Sequence, residues 1–183
     1  MSCHRLETER LLLRPPEASD IAAMVALAND YDVAKNLSRM PYPYTQDDAQ
    51  SYLTRAAEGR AKGSDFSFAI TRRADGAVMG ITGAHLRDNG LFEIGYWLGR
   101  PYWGQGYATE AARKLAAFTF HALKATRVTA GYFHDNPASA HVLEKVGFRP
   151  DGASQRDCLA RGHTVYCLGM LLERENFGRR PAA

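Results

Sequence analysis

Apolar positions along this chain repeat at two periods, about three and a half and two, and clusters of turn residues separate the runs. Residues 10–13 read as a first strand, closed by Pro15-Pro16, because proline has no N–H to give a ladder. Ser19 or Asp20 then caps a helix whose apolar stripe is Ile21, Met24, Leu27 and Ala28. Residues 31–37 predict a short second helix, and Pro41-Tyr42-Pro43-Tyr44 a stiff aromatic loop. Thr45 and Asp48 have capping-box spacing and open a helix that runs to about Ala61 and stops at Gly63. Strand patterns follow: 66–71 and 78–85 flank the turn Ala74-Asp75-Gly76, and 91–98 comes after Asp88-Asn89-Gly90. Next come a helix over 108–123 and a strand over 128–133. A second helix is capped by Asn136, begins with Pro137 and ends at Gly147, and Phe148 starts another strand. Residues 152–155 and 164–172 read as a closing antiparallel pair joined by Arg161-Gly162. The pattern predicts a mixed α/β (α+β) fold: a central sheet, antiparallel first and then crossed by helices.

The chemistry concentrates where the apolar strand 91–98 runs through Trp103-Gly104-Gln105-Gly106-Tyr107-Ala108-Thr109 into a helix. Two glycines let backbone N–H groups approach an anion with no Cβ in the way, and a helix start adds unpaired N–H groups and a positive dipole end. Strand, glycine turn and helix start make a phosphate cradle. A Walker loop is excluded, since no Gly-Lys-Ser/Thr follows. A dinucleotide fingerprint would need glycine or alanine where Thr109 stands, which counts against ATP or NAD. A tight turn without ligand is the competing reading.

Taken with the later segment Asn136-Pro137-Ala138-Ser139, which ends in Gly147-Phe148, the turn resembles the GNAT superfamily of acetyl-coenzyme A-dependent N-acetyltransferases. That family's phosphate loop, Arg/Gln-x-x-Gly-x-Gly/Ala, falls on residues 103–108, and its Asn-x-x-Ser/Ala motif falls on Asn136 and Ser139. The opening Leu6-Glu7-Thr8-Glu9-Arg10 and the run from Tyr96 to Ala108 look like the RimJ/RimL-like branch, which acetylates ribosomal-protein N-termini. The resemblance covers roughly 5–175 and implies a mostly antiparallel GNAT-like sheet flanked by helices, with two central strands splayed to admit acetyl-coenzyme A. Two departures stand out. Trp103 replaces the leading Arg/Gln, and Leu143 stands where many members carry a tyrosine that protonates the departing thiolate.

Composition narrows the class further. At 183 residues the default is a single domain, 1–183, with a frayed C-terminal tail that holds Arg179 and Arg180. A chain of this length buries about 70% of its unfolded surface, enough for its own core. A formal charge of +3 suits phosphates without calling for nucleic acid. Cys3, Cys158 and Cys167 have no metal-like spacing and read as free thiols in a reducing cytoplasm. No metal is expected, and neither a membrane span nor a signal segment.

For acetyl transfer to an amine, the oxyanion donor is expected at a backbone N–H near Trp97 or Leu98. Glu93 is the general-base candidate: it is the carboxylate inside an apolar strand, where burial would raise its pKa, with a salt-bridged position as the alternative. Alternation groups Glu93 with Gly95 and Trp97, opposite Phe92, Ile94 and Tyr96. The resemblance puts Ser139 beside the thiol, as partner or acid for the thiolate, and Asn136 beside the pantetheine arm as well as at the cap. Trp103 and Tyr107 cover the cofactor or pack into the core. Asn36, Arg39, Tyr42 and Tyr44 are expected along an acceptor groove, with residues 156–163 as its far wall. The acceptor is a protein N-terminal α-amine or a small amine, and a non-catalytic acetyl-coenzyme A sensor is a further alternative. A homodimer is open through pairing of the apolar closing strand.

Overall fold

The computed structural model describes residues 4–178. Its sheet is built from β1 (Leu6–Glu7), β2 (Leu11–Arg14), β3 (Asp65–Arg72), β4 (Val78–Leu86), β5 (Phe92–Leu98), β6 (Arg127–Phe133), β7 (Arg149–Cys158) and β8 (His163–Glu173). The order across the sheet is β1-β2-β3-β4-β5-β6-β8-β7. All neighbours are antiparallel except β5 and β6. That parallel pair registers only at Phe92–Val128 and Glu93–Thr129, so the strands part beyond Glu93. The expected splay therefore has a definite apex.

Helices cover both faces. α4 (Tyr107–His121) lies on one, with Tyr107, Ala111, Leu115 and Phe118 along its inner stripe. Alanines at 111, 112 and 116 let it settle closely on Phe68, Ile70, Ile94 and Val128. Fully buried Leu and Phe side chains are each worth about 1.5–3 kcal/mol. α5 (Pro137–Val146) adds Leu143 and Val146 to this core. The opposite face is covered by α1 (Ile21–Ala28), α2 (Tyr31–Ala34) and α3 (Gln46–Lys62), which enclose a second core with Ala69 and Ile81.

Caps decide several boundaries. Thr45 and Asp48 form the expected box, and Gly63 ends α3 in the left-handed region at φ 72°. Asn136 caps α5 by accepting from Ser139 N at 3.2 Å. α2 is shorter than its pattern, four residues capped by Asp30. Asp20 does not cap α1 with its side chain. Its buried carboxylate takes a fork from Arg14 at 2.8 and 2.7 Å instead, because a buried charge needs a charged partner more than a helix needs a cap.

Three expectations change. The closing strands are longer, since residues 149–158 form one strand with an irregularity between Pro150 and Ala153. The apolar part of β8 is interior to the sheet, with β7 on one side and β6 along Cys167–Glu173 on the other, so that stretch is not the edge a dimer partner would pair with. Tyr44 is buried in the second core rather than lining a groove. Cys3, Arg179 and Arg180 lie outside the described residues. Cys158 and Cys167 are free and buried.

Candidate active site

The glycine turn has the backbone its sequence calls for. Gly104 and Gly106 adopt φ 72° and 81°, and a Cβ at Gly104 would meet nothing within 4 Å. α4 starts at Tyr107, and Glu110 N is bonded back to Gly106 O at 3.1 Å. The N–H groups of Tyr107, Ala108 and Thr109 precede that bond and have no intrahelical acceptor. The N-terminal segment braces the turn from outside. Arg10 donates to Glu110 Oε2 at 2.7 Å and to Gln105 O at 3.0 Å, and its guanidinium stacks 4.4 Å above the Tyr107 ring. Thr8 donates to Glu110 Oε1 at 2.6 Å. The Gln105 amide returns to Pro101 O at 2.9 Å, and the Trp103 indole donates to Leu98 O at 2.7 Å. Trp103 is thereby fixed at the junction of strand and turn, while the Tyr107 ring packs between the core and the Arg10 guanidinium.

β5 leads from this turn to the apex of the splay, and its two faces differ. On the α4 side Ile94 and Leu98 are buried in the main core, with Phe92 and Tyr96 packed against it. The Tyr96 hydroxyl meets Ser139 Oγ at 2.9 Å and Ser139 O at 3.2 Å, so strand and α5 are joined through a hydroxyl pair. Burial pushes the Tyr96 pKa up to about 12 against the opposing pull of the Ser139 bond.

The other face carries Glu93, Gly95 and Trp97. Trp97 packs against the second core. Nothing lies within 4 Å of where a Gly95 Cβ would be, so the sheet is bare there. Glu93 has a 15% exposed side chain and two guanidiniums on it: Arg156 at 2.7 and 3.1 Å and Arg87 at 3.0 Å. Burial opposes its ionisation, but the Arg156 hydrogen bonds and the charges of Arg156 and Arg87 outweigh it, and its pKa falls below the ordinary value. This corrects the expectation of a raised pKa: the carboxylate is paired, not isolated. Arg156 crosses the splay to reach it, passing within 3.6 Å of where a Gly131 Cβ would stand.

A sheet splayed beside a glycine turn, with no cluster of metal-ligating side chains among the described residues, has clear counterparts. The acetyltransferase (GNAT) domain family matches residues 10–149. This chain is a GNAT acetyltransferase. The uncharacterised N-acetyltransferase p20 of Bacillus licheniformis is 32% identical over 179 residues, covering 94% of this chain and 98% of p20. RimJ of Mycobacterium smegmatis, solved in complex with CoA-disulfide, superposes with a TM-score of 0.82 at 23% identity, covering 97% of this chain and 89% of that one. The ribosomal-protein-S5-alanine acetyltransferase of Vibrio fischeri gives 0.80 at 19% identity, covering 96% of this chain and all (100%) of that one. The reaction is acetyl transfer from acetyl-coenzyme A.

In this acetyltransferase the expected acceptor residues separate. Asn36 turns inward and donates to Asp32 O at 2.8 Å, closing α2. Arg39 is exposed, and Tyr42 is 46% exposed, edge-on to Tyr31 with ring centroids 5.4 Å apart. The expected far wall is tied to the front segment: Leu159 N donates to Ser38 O at 3.1 Å, and Arg161 donates to Lys35 O at 2.7 Å and forks onto Asp135 at 2.7 and 3.0 Å. The sequence reading missed the partners of the site residues: Arg156 and Arg87 on Glu93, and Tyr96 on Ser139. Arg156 is brought to Glu93 by strand order and Ser139 to Tyr96 by the packing of α5, across sequence separations of 63 and 43.

Proposed function

We propose that the acetyl acceptor is a protein N-terminal α-amine, seated over Gly95. The observation that carries this reading is the double arginine pairing of Glu93. A carboxylate held ionised below its usual range is a poor proton acceptor, so the site suits an amine that is already largely neutral. An α-amine with a pKa of about 7.8 is roughly one-third neutral at pH 7.5, against about 0.1% of a lysine. The ribosomal-protein-S5-alanine acetyltransferase among the structural relatives is consistent with it.

The proposed division of labour follows the two faces of β5. The turn Trp103-Gly104-Gln105-Gly106 and the N–H groups of Tyr107, Ala108 and Thr109 hold the pyrophosphate, with Trp97 and Leu98 backbone beside the thioester and Asn136 beside the pantetheine arm. The open backbone at Gly104 and the unpaired edge of β5 past Glu93 fit such a ligand. Ser139, with Tyr96 behind it, supplies a proton to the departing sulfur. Arg39 and Tyr42 contact the acceptor chain at the rim. Glu93 holds Arg156 across the apex of the splay and lends negative charge beneath the amine. The buried free thiols of Cys158 and Cys167 suit a reducing cytoplasm.

The test is a mixed acceptor panel incubated with acetyl-coenzyme A and read by mass spectrometry: peptides with different N-terminal residues, blocked peptides with internal lysines, and common small amines. Acetylation of peptide α-amines is expected. Transfer confined to small amines would move the substrate class to metabolites or drugs, and transfer to internal lysines would remove the argument from Glu93.

A further inference from the structure

With Glu93 occupied by two guanidiniums, a different group must take the proton that the acceptor nitrogen loses. The sheet offers one in the same row. Asp65 on β3 pairs with His85 on β4, and His85 pairs with Glu93 on β5, so the three lie side by side on the face that is bare over Gly95. His85 Nδ1 stands 2.8 Å from Asp65 Oδ2, and Ser67 donates to Asp65 Oδ1 at 2.6 Å. Burial disfavours the Asp65 charge, yet the His85 and Ser67 hydrogen bonds hold its pKa below the ordinary value. An ionised carboxylate only accepts, so Nδ1 carries the hydrogen, and whenever the ring is neutral its lone pair is on Nε2. The ring leans back along β4: Nε2 would be 2.9 Å from a Cβ at Gly83. Gly83 is the cross-strand partner of Gly95, which sets Nε2 one strand spacing, about 5 Å, from the bare position. His85 remains 30% exposed, so the ring is not sealed in the core.

We propose that His85 is the general base of this acetyltransferase, with Nε2 accepting the proton of an amine seated over Gly95 and Asp65 as its positioning residue. The proposal rests on the acceptor seat described above. As the N–C bond forms, one nitrogen proton passes to Nε2. The C–S electron pair leaves on sulfur, and sulfur takes a proton from the Ser139 hydroxyl. The imidazolium, steadied by Asp65, then gives its proton to solvent, and Ser139 is reprotonated from solvent. The arrangement also gives the glycines a purpose, because a side chain at Gly83 would collide with the ring and one at Gly95 would fill the seat.

The experiment uses whichever amine the wild-type protein acetylates, so it stands even if that amine is not an N-terminus. In His85→Gln the amide can still donate to Asp65 but cannot take a proton, and kcat is expected to fall about 100-fold or more. His85→Ala is expected to fall as far and to recover with added imidazoles, the recovery rising with the basicity of the imidazole. Asp65→Asn is expected to fall less than His85→Gln. Binding of acetyl-coenzyme A to each variant, by calorimetry, reports that the protein is folded. Near-wild-type turnover in His85→Gln would overturn the proposal. So would a folded, inactive His85→Ala whose rate is indifferent to imidazole basicity. If only His85→Gln folds, its turnover decides.

Discussion

The two faces of β5 share seven residues of backbone and almost nothing else. Toward α4 the strand is packed: Ile94 and Leu98 are buried, and the polar group there, the Tyr96 hydroxyl, is matched to Ser139 on α5. Toward α1 and α3 the row Asp65, His85, Glu93 is polar, the next row holds Gly83 and Gly95, and the surface at Gly95 is bare. A strand interior normally loses stability when glycine replaces a packing side chain, and here that loss leaves room for a substrate. The contrast lets the two proton transfers of the proposed reaction approach one reacting carbon from opposite sides of the splay: deprotonation of nitrogen from the open face, protonation of sulfur from the packed one.

The sharpest way to break this contrast is to fill the open face. Gly95→Val is expected to lower kcat/KM for the acceptor about 100-fold or more, since small misplacements of a reacting group have effects of that size. Acetyl-coenzyme A affinity, measured by calorimetry, should be unchanged. Normal turnover would put the acceptor elsewhere. On the packed face, Ser139→Ala and Tyr96→Phe are each expected to reduce kcat by about 10- to 100-fold with little change in the acceptor KM. Because both act through one hydroxyl pair, the double variant should be scarcely worse than Ser139→Ala alone. Additive losses in steady-state kinetics would mean that Tyr96 does not act through Ser139.

The smallest expected effect concerns Glu93, whose pairing is treated as structural support for the site. Its folded pKa lies below the unfolded value of about 4.3, so the pairing stabilises the fold above that pH and is lost as pH falls through the folded pKa. Glu93→Gln should therefore cost about 1–2 kcal/mol in chemical denaturation at pH 7. The difference from wild type should shrink as pH drops below about 4. A difference that does not change with pH would mean that the charge contributes nothing to the pairing.

Much of this architecture was legible in local chemistry. Thr45 with Asp48, Asn136 with Pro137, and Gly63 and Gly147 fixed helix ends, because a cap is a contact between residues three or four apart. The turns around Asp75 and Asn89 fixed two hairpins, and counting outward from the second pairs His85 with Glu93, whereas an irregularity between Ile70 and Thr71 shifts the first by one residue before Asp65 meets His85. The His85–Glu93 half of that row is therefore local in origin, while Asp65 joins it only through the bulge in the tertiary structure. The glycines at 104 and 106 also showed their left-handed backbone in advance, since few other residues adopt it without strain.

What the chain could not show by itself is whatever depends on which strand lies beside which. Glu93 reads as a buried carboxylate with an elevated pKa until β7, reached through β6 and β8, delivers Arg156 across the splay. The pKa of a buried group depends on the charges within a few ångströms, and none of Arg156's contribution is local in sequence. The same holds for Tyr96, which acquires Ser139 only because α5 packs against the strand, and for β8, whose apolar pattern is explained by neighbours on both sides rather than by a dimer edge. The sequence determined the elements, their ends and the phosphate turn through short-range sterics and hydrogen bonding. The tertiary structure decided which charges meet, and with that which groups remain able to move a proton.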